Sequence, residues 1–135
     1  MKKGAKVLIL AGIFIALSAL IGNVHAMSIE PASIYQERLV QYALGDQYPI
    51  SKAAVVKSQR HKNAYYIGAI FYAEGCGNLI GIWLTNGSKY HPTVLYSVDG
   101  FAHQFSGMRK ASETKAAAYS WDPESKLLRK YLGGK

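Results

Sequence analysis

The chain carries one cysteine, Cys76, in 135 residues. A single thiol allows no intrachain disulfide, so a stapled mini-protein is excluded and stability must come from packing. Acids are also scarce, eight Asp and Glu against sixteen Lys and Arg, for a formal net charge of +8. Glycoside cleavage by paired carboxylates would have to draw on those eight, and two of them, Asp99 and Asp122, are placed as helix caps. No His-Glu-x-x-His and no Cys/His cluster occurs, so the sequence offers no metal site. No phosphate-cradling Gly-x-x-x-x-Gly-Lys occurs either, and no cofactor is implied. Internal repeats and low-complexity tracts are absent.

What is present begins with "MKKGAKVLILAGIFIALSALIGNVHA". Lys2, Lys3 and Lys6 precede an uncharged apolar run from Val7 to Gly22, and Val24-His25-Ala26 fits a small-x-Ala cleavage site. This pattern predicts a secretory signal peptide over residues 1–26. The run is short for a membrane span of roughly 20 residues. The expected location is therefore the periplasm or outside the cell, with an N-terminal membrane anchor as the alternative. The "MKK" start points to a bacterial source. The remainder, 27–135, is long enough for one globular domain. It holds thirteen Lys and Arg against eight acids, a formal +5, with seven of the basic residues from Arg109 onward. That balance favours an anionic partner, and export argues against nucleic acid.

The element pattern predicts an α+β fold: an N-terminal helix, a three- to four-stranded antiparallel sheet, a short helix and a C-terminal amphipathic helix. Ser33 and Gln36 form a capping-box pair for a helix over about 33–44, with Ile34, Tyr35, Leu39, Tyr42 and Ala43 as its inward face and Gly45 as a left-handed cap. "KAAVVKSQRHKN" reads as an edge strand. "AYYIGAIFYAEG" alternates Tyr65, Ile67, Ala69 and Phe71 with Tyr66, Gly68, Ile70 and Tyr72, apolar on both faces, so cover is expected on both sides. A glycine-rich turn through Cys76 leads to "LIGIWLTNG", which completes a hairpin closed by Asn86-Gly87. Thr93 to Val98 forms a further strand. Asp99 then caps a short helix in which Phe101 and Phe105, four apart, both face inward, and Gly107 ends it. Asp122, Pro123, Glu124 and Gly133 delimit the last helix, with Leu127, Leu128, Tyr131 and Leu132 inward and Lys126, Arg129 and Lys130 outward.

Gly81-Ile82-Trp83-Leu84-Thr85-Asn86 and Tyr96-Ser97-Val98-Asp99-Gly100-Phe101-Ala102, closed by Phe105-Ser106, resemble a pattern found in small exported bacterial proteins of uncharacterised function. In that group a Gly-rich turn leads to "G-[IV]-W-x-T-N" and then to "YSVDGxAxxFS". The resemblance implies export and a small α+β domain, and it brings no catalytic residue. Cys76 and the basic C-terminal helix depart from the pattern.

Three function classes follow. The first is a non-enzymatic exported binding protein at the cell envelope or outside the cell. Its contact residues would be Tyr66, Trp83, Asp99, Phe101 and His103, and its partner an unidentified protein or an anionic envelope component. The basic stretches Arg60-His61-Lys62 and Arg109-Lys110 with Lys115 suit such a partner. The second is a small secreted enzyme using Cys76 with a histidine, or the Asp99/His103 pair, which share a face at helical spacing. The third is an inhibitor or immunity-type protein presenting the Gly87–Pro92 loop. An intermolecular disulfide through Cys76, giving a linked dimer, is a further expectation. Which of Trp83 and Trp121 lies in the core is open at this level.

Overall fold

The computed structural model describes residues 27–134; the signal-peptide reading falls on residues 1–26 and lies outside them. The elements are β1 (Ile29–Pro31), α1 (Ile34–Leu44), β2 (Ile50–Lys57), β3 (Ala64–Ala73), β4 (Gly77–Gly87), β5 (Pro92–Ser97), α2 (Gly100–Ser106), a 3-10 turn (Ala111–Glu113) and α3 (Pro123–Gly133). The α+β class stands, with a five-stranded antiparallel sheet in the order β1-β2-β3-β4-β5. Five strands replace the expected three to four, and β1 precedes the first helix. β1 pairs Ile29 with Val56 and Pro31 with Ala54, so β2 lies inside the sheet and is not an edge.

β3 and β4 form the central hairpin, in register from Ala64↔Asn86 to Ala73↔Gly77. Residues 74–76 connect them, and the turn uses positive φ at Gly75 (85°) and Gly77 (84°), a conformation open to glycine at no steric cost. The two faces of β3 are covered as its alternation requires. Ile67, Ala69 and Phe71 join Val40, Leu44, Trp83 and Ala102 under α1 and α2. Tyr66 joins Ala54, Val56, Ile82, Leu84, Leu128 and Leu132 under α3. The result is three layers, helices on both faces of one sheet. α3 lies so close that a Cβ on Gly68 would stand 2.7 Å from Leu132 Cδ1 and 3.2 Å from Leu128 Cβ.

The caps form largely as the sequence indicates. Ser33 and Gln36 make the reciprocal capping box of α1, and the Asp99 side chain accepts from the Ala102 amide at the start of α2. Gly107 closes α2 in the left-handed region. Gly45 has a positive φ of 88° with an extended ψ of 166°, which differs from the expected left-handed cap. Gly134, one residue past Gly133, takes the left-handed cap of α3.

The inward faces of the helices differ more. α1 buries Gln36, Val40 and Leu44, while Ile34, Tyr35 and Tyr42 are exposed, Tyr42 at 90%. The core selects the stripe at spacing four through Val40 and Leu44, and the tyrosines, which carry a polar tip, stay in water. In α2, Ala102 is buried and Phe105 packs on Phe71 and Tyr48, whereas Phe101 is 46% exposed. α3 buries Glu124, Ser125, Leu128 and Leu132; Tyr131 is exposed with Lys52 Nζ 4.5 Å from its ring centre, and Arg129 is tied inward to Asp99. Among the described residues, no helix is long and apolar enough to cross a membrane.

Candidate functional site

β5 is shorter than β4. Its pairing with β4 runs from Gly87↔Pro92 to Trp83↔Ser97, after which Val98 and Asp99 hold Ile82. The Val98 amide donates to the Ile82 carbonyl at 2.8 Å, and the Ile82 amide donates to Asp99 Oδ1 at 3.2 Å. Beyond that point the chain turns away into α2, and β4 residues 77–80 have no strand on their outer side. An open cleft of about 650 Å³ occupies the place.

Asn78, Leu79 and Ile80 form the cleft's floor, Gly100, Phe101 and Gln104 its α2 wall, and Arg129, with Ser120 from the turn before α3, its α3 wall. The α2 wall belongs to one helical layer and the α3 wall to the other, so the cleft straddles the sheet edge. Asp99 and Arg129 join the two layers: Arg129 donates to Asp99 Oδ2 at 3.2 Å. Because the Asp99 carboxylate also accepts the Ala102 and Ile82 amides, it is fully engaged as a structural anchor. An adjoining surface groove along α3 adds Lys126 and Lys130 beside Ile80 and Arg129. The cleft therefore combines an exposed aromatic ring, uncharged polar groups and a basic rim.

The structure separates the residues singled out from sequence. Phe101 lines the cleft and is exposed; Asp99 lines it as an anchor. Tyr66 and Trp83 are corrected: both are fully buried, so neither presents a contact surface. Trp83 fills the α1–α2 side of the core and donates from its indole to Ser106 Oγ at 3.0 Å, whereas Trp121 is 66% exposed and stacks on Tyr119. His103 does not face Asp99 as a dyad. Its Nδ1 lies 2.9 Å from the Met108 carbonyl, an acceptor only, so Nδ1 carries the proton and the ring fastens the end of α2.

Cys76 sits exposed at the tip of the β3–β4 turn, and none of the described residues hydrogen-bonds its thiol. His91 lies past the far end of β4, roughly 30 Å away at the rise of an extended strand, so the two cannot act together. Nothing in the fold supports a Cys76-linked dimer. Among the described residues, no group of three or more His, Cys, Asp and Glu side chains is placed to hold a metal ion.

The basic stretches are drawn together in part. Arg60, His61 and Lys62 meet Lys115 around a second cleft of about 630 Å³. Two of these four are engaged structurally: Arg60 donates to the Ala117 carbonyl and to Asp122, and His61 Nε2 lies 2.6 Å from the Ala116 carbonyl. Asp122 also accepts from the Tyr66 hydroxyl at 2.6 Å and the Tyr119 amide at 2.8 Å. Burial and the bond to Asp122 raise the Tyr66 pKa well above the ordinary tyrosine value. Tyr66 then stays protonated in the folded chain at a pH where it would ionise once unfolded, so its contribution is present below about pH 10 and is lost as pH rises beyond. Urea midpoints measured from about pH 9 to 11 should fall more steeply for the wild type than for Tyr66→Phe.

Sequence reasoning did not find Asn78 or Ile80 as site residues, nor did it bring Gln104 and Arg129 to them. Their grouping depends on where β5 ends and on a contact thirty positions apart, Asp99 with Arg129. Comparison with family models, curated proteins and solved structures found no match to this chain.

Proposed function

We propose that this chain is an exported, non-enzymatic binding protein that holds its partner in the cleft beside β4. The observation that carries this reading is the cleft's make-up: exposed Phe101 with Asn78 and Gln104, fringed by Arg129, Lys126 and Lys130. An aromatic anchor beside arginine and a polar rim is the composition of partner-contact surfaces. The engaged state of Asp99 and His103 and the isolation of Cys76 favour binding over catalysis. Export rests on residues 1–26, and an envelope location fits the basic rim facing an anionic component. Nucleic acid is disfavoured by export, and no cofactor is invoked.

The test uses the mature chain, residues 27–135, with an NMR footprint of binding to cell-envelope material. Shifts should concentrate on residues 78–80, 100–104 and 129, and Phe101→Ala should weaken binding about tenfold or more, the range of an interface anchor. A footprint elsewhere, or equal binding by Phe101→Ala, overturns the reading.

The inhibitor-type reading keeps one observation in its favour. Tyr90 in the loop after β4 is 69% exposed and lines a shallow cleft with Tyr35, Tyr42 and Arg38. A footprint confined to those residues would shift the conclusion to an inhibitor or immunity-type protein.

A further inference from the structure

We infer that the cleft takes an extended peptide segment with acidic side chains at alternate positions, which adds as a sixth strand to the open edge of β4. This inference rests on the binding reading above and deepens it by naming the ligand class.

The hydrogen-bond parity of β4 leads to it. Ile82 directs both its amide and its carbonyl away from β3, to Asp99 and Val98. In an antiparallel strand, residues two apart point their backbone groups the same way. Asn78 and Ile80 therefore direct theirs outward as well, while Leu79 and Gly81 bond to β3 opposite Phe71 and Ala69. No partner among the described residues meets the outward groups of Asn78 and Ile80, and both residues line the cleft. Two donors and two acceptors thus stand in a row along about 10 Å of strand. Such a row is the template on which β-augmentation operates, with main-chain bonds giving affinity and alternate side-chain sites giving specificity.

The walls of the cleft supply those alternate sites. A strand laid beside residues 77–80 would point successive side chains to opposite faces of the sheet. One face carries Leu79, which packs with the α1–α2 side of the core, along with Phe101 and Gln104 from α2. The other carries Ile80 with Lys126, Arg129 and Lys130 from α3. Apolar residues suit the first and carboxylates the second, which fixes the alternation of the incoming segment. A second copy of this chain is a poor occupant. Antiparallel edge pairing about a two-fold normal to the sheet would set both α3 helices, with their Lys126, Arg129 and Lys130, on one face. Charge complementarity then opposes the dimer and favours the acidic peptide.

The probe is an end-blocked hexapeptide of alternating valine and glutamate, compared with its valine–lysine counterpart and a version with proline at a central position. Titrated into the ¹⁵N-labelled mature chain, the glutamate peptide should shift Asn78 to Ile80, Phe101 and Arg129, and should slow hydrogen exchange at the Asn78 and Ile80 amides. The lysine and proline peptides should bind about tenfold more weakly or worse. Ile80→Pro removes an outward donor without breaking a β3 bond, and should cut binding to a similar degree with the circular-dichroism spectrum unchanged. If Ile80→Pro does not fold, Asn78→Pro takes its place. Lys126→Glu with Lys130→Glu, both exposed, should abolish the preference for the acidic peptide. Cleft shifts without protection of Asn78 and Ile80, and unchanged binding by the proline variant, would overturn strand addition while leaving the cleft as a binding site. If neither the peptide nor any envelope material shifts a cleft residue, the binding reading fails along with strand addition.

Discussion

Replacing Trp83 by alanine is expected to lower the unfolding free energy by roughly 3–5 kcal/mol, the range for deleting a large buried aromatic. Trp83 is wholly buried, with its ring centre 6.2 Å from that of Phe71. Its neighbourhood cannot close the gap readily. Phe71 is held in turn by Tyr48 and Phe105 in an edge-to-face cluster, and Gly81 leaves no side chain to slide in. A Cβ on Gly81 would stand 2.5 Å from the indole, so the glycine exists where the ring passes over the strand. The indole N–H is a smaller matter, because its partner Ser106 Oγ also donates to the Ala102 carbonyl and keeps that bond. Domains of this size are stable by only about 5–15 kcal/mol, so the variant should lose a large share of its stability. An unfolding free energy from urea titration within about 1 kcal/mol of wild type would show that Trp83 is not the centre of this core.

The second large effect is expected at Asp122. Asp122→Ala removes the acceptor for the buried Tyr66 hydroxyl and the Tyr119 amide, leaving two donors unpaired at roughly 1–3 kcal/mol each. Arg60 contributes little to the loss, since about half of its side chain is in water and its charge can return there. The net expectation is a destabilisation of about 2–4 kcal/mol, most of it from the hydrogen bonds and not from the ion pair. Two further measurements separate those sources. Arg60→Met alone should cost about 1 kcal/mol or less, as a mostly exposed pair does. Tyr66→Phe combined with Asp122→Ala should be less damaging than the sum of the two single changes, because the orphaned hydroxyl is gone. Strict additivity would mean that the Tyr66–Asp122 bond contributes nothing.

The sequence made the punctuation of the fold readable. The capping box at Ser33 and Gln36, the Asp99 cap with Gly107 after it, and the glycine-bounded hairpin all rest on contacts within a few residues. The two-sided apolar pattern of β3 likewise announced cover on both faces, which the helices provide. What local pattern could not supply was the choice among chemically similar residues. Trp83 and Trp121 are the same side chain, and only the register Ile67↔Trp83 puts one of them in the core. Tyr35 and Tyr42 looked like an apolar face, but Val40 and Leu44 are the better core formers and the tyrosines lose little by staying exposed. β1 escaped notice because three residues ending at a proline carry no period. Asp122 was readable as a cap by position, yet its side chain makes no capping bond and serves Tyr66 fifty-six positions away. The site shares this limit. Phe101 and Asp99 were legible from their motif, whereas the cleft exists because β5 stops opposite Trp83, a matter of tertiary register alone.

Whether β4 leaves an unpaired edge in that cleft is decided by residue-resolved amide hydrogen exchange along residues 77–84 of the free chain 27–135. The expected pattern is an alternation: Asn78 and Ile80 exchanging near the rate of an exposed peptide, with Leu79, Gly81 and Trp83 slower by about a thousandfold or more. Ile82, held by Asp99, should fall with the slow group. Asn78 and Ile80 exchanging as slowly as Gly81 would mean that the edge is already paired, and the proposed binding site would not exist.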